Sequence, residues 1–301
     1  MSGQRARVGL VGAGWWSGHM HLPSLTQNPD AEVVCVCDQD GERARAAAEL
    51  FGVPRWTEQV GELLALAPDC VIVATPHTQH HAPAAAALDL GIDVMIEKPM
   101  TVDPAEAWDL VERARRSGAN LHVGYPFVHS PHASELRDAI RAGDLGPLVM
   151  TSGLFATMVR ELYRGNVESQ HGDDVPFISR PTTYSDPAHG GGQLFTQMTH
   201  CASLLLWVTE LRAREVFAYA TAPGQRVDLA DALSVSMAGG SIATLATTGS
   251  VIDQRERFEE YRFFGSDGMA ALDTARGTLA IGRARGPLRA SEPLDELSAQ
   301  P

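Results

Sequence analysis

The stretch that most restricts the fold is Arg7-Val8-Gly9-Leu10-Val11-Gly12-Ala13-Gly14. A short apolar run enters a pair of glycines, and Ser17 stands where a third glycine would be. A buried strand that ends in such a turn and feeds a helix opens a βαβ unit. Gly12 permits the tight turn, and Gly14 lets a pyrophosphate approach the backbone at a helix N-terminus. The next apolar run, Glu32 to Cys37, ends in Asp38. An acid about 20 residues beyond the fingerprint accepts hydrogen bonds from an adenosine ribose. Gln39 and Asp40 supply no cation for a 2′-phosphate, which favours NAD over NADP as cofactor.

The alternation continues to residue 124. Gly41 to Phe51 is Ala-rich and closed by Gly52, and Val60 to Ala67 is a short helix. Asp69 to Ala74 is a strand, His80 to Leu90 a helix and Val94 to Ile96 a strand. Asp103-Pro104-Ala105-Glu106 starts a helix, with Asp as N-cap, Pro at N1 and Glu at N3. Leu121 to Gly124 is one more strand. Residues 1–124 are therefore predicted to be α/β, a Rossmann-type doubly wound parallel sheet. Thr75, Pro76, His77 and His80 follow the C-terminal end of a strand, which places them in the cofactor cleft. His80 and His81 point to different sides of a helix and share no ligand spacing with Cys or carboxylate, so no metal is expected. His19 and His21 are expected to be ordinary packed or surface histidines.

Val94-Met95-Ile96-Glu97-Lys98-Pro99 ends a buried strand in an acid, a base and a proline. Pro99 restricts the Lys98 backbone. A lysine held near apolar walls has a lowered pKa and can exchange a proton. Taken alone, the same residues also describe a strand-end ion pair.

After Gly124 the period changes. Ser130 to Ala142 is helical, and strand signals then dominate: 147–158, 214–221, 229–237, 242–248, 261–264 and 269–273. Residues 125–301 are expected to form an α+β domain with a large, mostly antiparallel open sheet, ending in a flexible tail from about 283. An apolar open face carrying Phe217, Val235, Met237 and Phe263 would make the chain a homodimer or homotetramer through this sheet. The aperiodic stretch 165–192 is flanked by Arg160, Tyr163, Arg164 and Tyr184, which are suited to a polyhydroxylated ligand or to a plain surface loop. On the helix from Leu194 to Val208, Gln193, Thr196, Gln197 and His200 share one face. A polar stripe ending in a histidine points to a polar cavity and a proton-exchanging group, or to a core histidine bonded nearby.

The net charge of −13 and the lack of a basic run argue against nucleic acid and anionic membrane as partners. No signal peptide or membrane span is legible, and Cys35, Cys37, Cys70 and Cys201 lie in apolar runs without metal spacing. A cytoplasmic protein with reduced thiols is expected.

Val11-Gly12-Ala13-Gly14-Trp15-Trp16, Asp38, Thr75-Pro76, Glu97-Lys98-Pro99, Gly124-Tyr125 and Gly190-Gly191-Gly192 leading to His200 together resemble the Gfo/Idh/MocA family of sugar and polyol oxidoreductases. The resemblance covers nearly the whole chain. It implies an NAD-dependent enzyme that moves a hydride between nicotinamide and a sugar, cyclitol or related polyol. It implies Lys98 beside nicotinamide and substrate hydroxyl, His200 as acid/base, and Trp15, Trp16 and Glu97 around the cofactor. Tyr125, Arg160, Tyr163, Tyr184 and Gln197 are the candidate substrate contacts. The family usually has an aspartate four residues before its histidine, and here Thr196 stands there, with Gln193 and Gln197 as candidate orienting groups. Two other activities fit the same residues: NAD-assisted elimination or hydrolysis without net redox, and a non-catalytic sugar or nucleotide sensor.

Overall fold

In the computed structural model, which describes residues 5–167, 181–252, 257–284 and 286–294, the chain forms two compact units. The first is built on six parallel strands: β1 (Ala6–Val11), β2 (Ala31–Cys37), β3 (Trp56–Thr57), β4 (Cys70–Val73), β5 (Asp93–Ile96) and β6 (Leu121–Val123). They lie in the order β3-β2-β1-β4-β5-β6. Continuous apolar runs such as Val33-Val34-Cys35-Val36 suit strands covered on both faces. The covering helices are α1 (Leu22–Gln27), α2 (Gly41–Phe51), α3 (Val60–Leu64), α4 (His81–Asp89) and α5 (Pro104–Ser117). Asp40 caps α2 by accepting the Arg43 N–H, and Asp103 caps α5 by accepting the Ala105 N–H at 2.8 Å.

The register sets Val11 beside Cys37 and Val73, Val73 beside Ile96, and Ile96 beside Val123. The residues that follow them, Gly12, Asp38, Ala74, Glu97 and Gly124, therefore emerge along one edge. Strand order reverses between β1 and β4, and that crevice is where doubly wound sheets bind ligands.

The first unit also takes 165–167, 181–184 and 188–190 from the stretch assigned by sequence to the second domain. The reason is local. The Gly190 carbonyl accepts a hydrogen bond from His77, and the Tyr184 ring stands edge-on to His77 at 5.6 Å. Residues 168–180 of the aperiodic stretch lie outside the described residues.

The second unit has α6 (Pro131–Arg141), β7 (Leu148–Ala156) and the short α7 (Arg160–Tyr163). A π-helical turn (Leu194–Met198) leads into a helix (Thr199–Thr209) that carries His200. The remaining strands are β8 (Ala213–Thr221), β9 (Ala230–Met237), β10 (Ile242–Thr248), β11 (Phe258–Gly265), β12 (Gly268–Asp273), β13 (Thr278–Arg283) and β14 (Arg289–Ala290). Their order is β14-β13-β12-β11-β7-β10-β9-β8, with β7 and β10 parallel and the other pairs antiparallel.

The helices cover one face, and the core there holds Phe155, Leu204, Leu205, Tyr261 and Phe263. Burying a side chain such as Phe263 stabilises the unit by roughly 1.5–3 kcal/mol. Three residues expected on the open face, Val235, Met237 and Phe263, are buried on this helix-covered side instead. Cross-strand pairing explains it: Val235 stands beside Ala243, and Phe263 beside Thr151 and Ala270, all buried. Phe217 does lie on the open face, paired with Ser234 and 61% exposed. Tyr219, Leu154, Ile242, Phe264 and Met269 are its exposed apolar companions. Part of the expected tail, residues 286–294, lies against the sheet. β14 pairs with β13, and the Ser291 and Leu294 amides bond to Leu279 and Gly277 carbonyls. Residues 285 and 295–301 lie outside the described residues.

Candidate functional site

In the first unit the site is built on strand ends. Gly12 has φ +98°, and a Cβ there would lie 2.5 Å from the Ala74 carbonyl oxygen. Only glycine lets β1 turn this close to the end of β4. Its amide donates to the Cys37 carbonyl at 2.7 Å, and the Ser17 hydroxyl donates to its carbonyl. The Asp38 carboxylate accepts the Ala13 N–H at 2.7 Å and the Asp40 N–H at 2.9 Å, so it braces the turn as well as presenting an acceptor. A Cβ at Gly14 would meet nothing within 4 Å, an open cradle at the start of the first helical stretch. This arrangement fits a dinucleotide: Gly14 makes room for the pyrophosphate and Asp38 stands at the ribose position. Trp15 stacks on Trp16 at 5.1 Å and on His19 at 4.8 Å.

Beyond β5, Glu97 is almost fully buried. One of its oxygens is 2.9 Å from His21 Nε2, and the other accepts the Lys98 backbone N–H at 3.2 Å. Glu97 is thus a structural anchor, and His21, expected to be an ordinary packed residue, is its partner. Burial pulls the Lys98 ammonium below its ordinary pKa, against an upward pull from Glu97. The Lys98–Pro99 peptide is cis.

His80, placed by sequence in the cofactor cleft, is fully buried. Its ring nitrogens lie 2.8 Å from the Thr75 and Pro99 carbonyl oxygens. It ties the ends of β4 and β5 together from beneath and cannot reach a ligand above them. Thr75 and Pro76 remain partly exposed. His77 is pushed down to about 3, by burial first and then by His80 and Lys98, and is a neutral imidazole. Its Nδ1–H donates to the Gly190 carbonyl at 3.1 Å.

In the second unit His200 is buried in an aromatic cage. Phe155 stacks on its ring at 5.4 Å with a 6° interplanar angle. Tyr125 and Phe127 stand edge-on at 5.8 Å and 5.5 Å. The cage fixes the imidazole plane, and neither Phe127 nor Phe155 was singled out in the sequence.

One turn earlier, Thr196 and Gln193 are fully buried and share Tyr163 as partner. Thr196 Oγ1 lies 2.7 Å from the Gly192 carbonyl oxygen, and Tyr163 Oη touches both Thr196 Oγ1 and the Gln193 amide, the latter at 2.9 Å. Two hydroxyl protons cannot serve three contacts. The count closes if the Gln193 NH2 donates to Tyr163, Tyr163 donates to Thr196 and Thr196 donates to Gly192. Tyr163 is therefore engaged inside the unit rather than at a ligand surface. Arg160 turns outward and donates to Ser250 Oγ at 2.9 Å, and Gln197 stays partly exposed.

The buried thiols offer no nucleophile: burial pushes Cys37 and Cys201 up to about 12. Among the described residues, no helix is long and apolar enough to cross a membrane, and no group of three or more His, Cys, Asp or Glu side chains is set to hold a metal ion.

Comparison with known proteins agrees with this geometry. Residues 6–125 match the oxidoreductase family model with NAD-binding Rossmann fold, and residues 133–271 match the GFO/IDH/MocA C-terminal domain. The chain is 38% identical over 154 residues to an inositol 2-dehydrogenase of Saccharopolyspora erythraea, covering 50% of this chain and 45% of that one. It is 31% identical over 153 residues to a D-glucoside 3-dehydrogenase of Escherichia coli, covering 50% and 44%. These matches span less than half the length of either relative. A sugar-nucleotide 3-reductase of Streptomyces violaceoruber is 28% identical over 272 residues, 89% of this chain and 73% of that one. An inositol dehydrogenase homolog from Azotobacter vinelandii, solved with NAD+, shares the fold with a TM-score of 0.80 at 21% identity, covering 96% of this chain and 76% of that one. With both of its units matched by the family's two domain models, the chain belongs to the Gfo/Idh/MocA family and carries an NAD-binding Rossmann domain.

Proposed function

We propose that this chain is an NAD-dependent oxidoreductase acting on a carbinol of a sugar, cyclitol or related polyol, with Lys98 and His200 handling the hydroxyl proton. The observation that carries the reading is Lys98, a lysine whose burial at the C-terminal end of β5 favours the neutral amine. When bound, NAD supplies the acceptor for the carbinol hydride. The chain's own residues do the rest. Asp38 and the turn at Gly12–Gly14 hold the dinucleotide. Lys98, as the amine, takes the proton as the carbinol oxygen becomes a carbonyl, and His200, held flat by Phe155, orients the hydroxyl and shares that proton. Glu97 keeps Lys98 in place and is not the base. Tyr125, at the His200 ring, and Tyr184, at the His77 ring, are the aromatic substrate contacts this reading favours.

The named activities of the inositol, glucoside and sugar-nucleotide relatives support a polyhydroxylated substrate. The open face of the second unit's sheet supports a homodimer or homotetramer, because contiguous exposed apolar side chains of this kind are covered in stable proteins. Lys98→Met tests the reading. It should bind NAD as the unaltered protein does and lose turnover by about 10²-fold or more on any sugar the protein oxidises. Turnover within a few-fold of normal would overturn the assignment. Thr196 in place of a carboxylate favours a second reading, a non-catalytic sugar or nucleotide sensor on the same fold. NAD bound with no turnover across a broad sugar panel would select it.

A further inference from the structure

The alternation of β9 puts Asp231 on the helix-facing side with Leu233, Val235 and Met237, an ionisable group on a core face. Asp231 is buried, with one carboxyl oxygen accepting from Thr247 Oγ1 at 3.3 Å and the other lacking any donor among the described residues. The Asp228 carboxyl acts on it at close range and, after burial, is the main influence raising its proton affinity. Two carboxyl groups so placed are relieved when a proton lies between them. Asp228 in turn holds the start of the His200-bearing segment. Its Oδ2 accepts the Leu194 N–H at 2.6 Å, and its backbone carbonyl accepts the Gln193 N–H at 3.1 Å. Gly192, at φ +100°, makes the approach possible, because a Cβ there would strike Asp228 Oδ1.

We infer that Asp228 and Asp231 form a carboxylic acid–carboxylate pair sharing one proton, and that Asp231 is a positioning residue which lets Asp228 anchor the segment carrying Gln193, Thr196 and His200. The consequence for turnover rests on the role proposed for His200; the pair itself does not. Burial and the Asp228 charge push Asp231 up to about 7, against a downward pull from Thr247. Across both neighbouring strands it faces uncharged residues. It pairs with Ala220 of β8 and Thr247 of β10, and the 194–198 turn has no titratable side chain. The helix packed on β7 and β10 brings His200 and Cys201, and the nearby Arg226 is paired with Asp186 at 3.4 Å. Below about pH 7 the pair keeps its proton. As pH rises through that value a second buried negative charge forms, and the Asp228 anchor loosens.

The test uses the full chain with Asp231→Asn, whose amide N–H replaces the shared proton, and Asp231→Ala as a second variant. The pair is read without substrate, from the carboxyl 13C titration of Asp231 and the exchange protection of the Leu194 amide. Protonation midway near pH 7, and protection lost above it in the unaltered protein but kept in Asp231→Asn, are expected. In steady state, the ratio of unaltered to Asp231→Asn kcat/KM should fall several-fold from pH 6 to pH 8, while Asp231→Ala lowers kcat more than it raises KM. An Asp231 that titrates below pH 5, or Leu194 protection independent of pH, overturns the inference. If Lys98→Met stays active while the Asp231 titration is as expected, the proposed reaction fails and the pair stands.

Discussion

Two glycines of one turn are predicted to fail in opposite ways when each is changed to alanine. At Gly12 the backbone sits at φ +98°, and the added methyl carbon would lie 2.5 Å from the Ala74 oxygen and 2.8 Å from the Thr75 nitrogen. Holding an L-residue in that conformation costs about 1–3 kcal/mol. Both neighbours are backbone, so the clash is relieved only by moving β1 or β4, which adds about 1–3 kcal/mol. In a unit of this size each kcal/mol shifts Tm by about 2–4 °C, so Gly12→Ala should lower the melting temperature of the nucleotide-binding unit by roughly 5–20 °C. At Gly14 nothing lies within 4 Å of the new methyl. Alanine at such a site restricts the unfolded chain and stabilises by about 0.4–1 kcal/mol. The same methyl occupies the approach of a pyrophosphate, and overpacking of about 1–3 kcal/mol corresponds to a Kd for NAD raised roughly 5- to 150-fold. Differential scanning calorimetry reads the first effect and isothermal titration with NAD the second. Gly14→Ala binding NAD with unchanged affinity would refute the placement of the cofactor, and an unshifted Tm in Gly12→Ala would refute the packing argument.

Within the second unit, Tyr163→Phe strips the buried Gln193 amide of its hydroxyl partner and should cost about 1–3 kcal/mol. Thr196→Val leaves Tyr163 bonded to Gln193, with the Gly192 carbonyl still accepting the Thr196 N–H at 3.1 Å, and should cost about 1 kcal/mol. Urea unfolding that ranks Thr196→Val as the more damaging change would contradict the proton count. On the open sheet face, changing Phe217 and Tyr219 together to lysine should turn an oligomer into a monomer in analytical ultracentrifugation without altering the helix-covered core. An unchanged sedimentation coefficient would place the interface elsewhere.

The parallel sheet was legible because each of its principal strands is a run of buried apolar residues bounded by glycine, proline or a cap, so local pattern and tertiary place coincide. Asp38, Glu97 and Lys98 were legible for the same reason: a charged residue directly after such a run must emerge at the sheet's edge. The failures share a cause too. His80 carries the same local signal as His77, yet one more turn of chain puts it under the edge, tied to the Thr75 and Pro99 carbonyls. Which side of β9 and β11 faces the helices depends on register with β10, β7 and β12, and alternation alone cannot choose between the two faces. That is why Val235, Met237 and Phe263 were set on the wrong side. β14 has only two residues, too few for a periodic signal, and its pairing with β13 is long-range. Asp231 did leave a trace, an acid in phase with Leu233, Val235 and Met237, which a search for charges on core faces would find.

Threonine at position 196 has a physical consequence within the second unit. A carboxylate at 196 would enter a fully buried site where the Gly192 carbonyl already presents an acceptor, and it would need a second donor besides Tyr163. Threonine fits because it both gives and receives a hydrogen bond, closing a neutral chain from Gln193 to Gly192. The negative charge associated with this helix sits instead at Asp228, where the backbone N–H groups of the first turn favour it. Tyr125, Phe127 and Phe155 stand around the His200 ring and hold the imidazole plane. Under the proposed reaction, Lys98 and His200 handle the carbinol proton with threonine, not a carboxylate, at position 196.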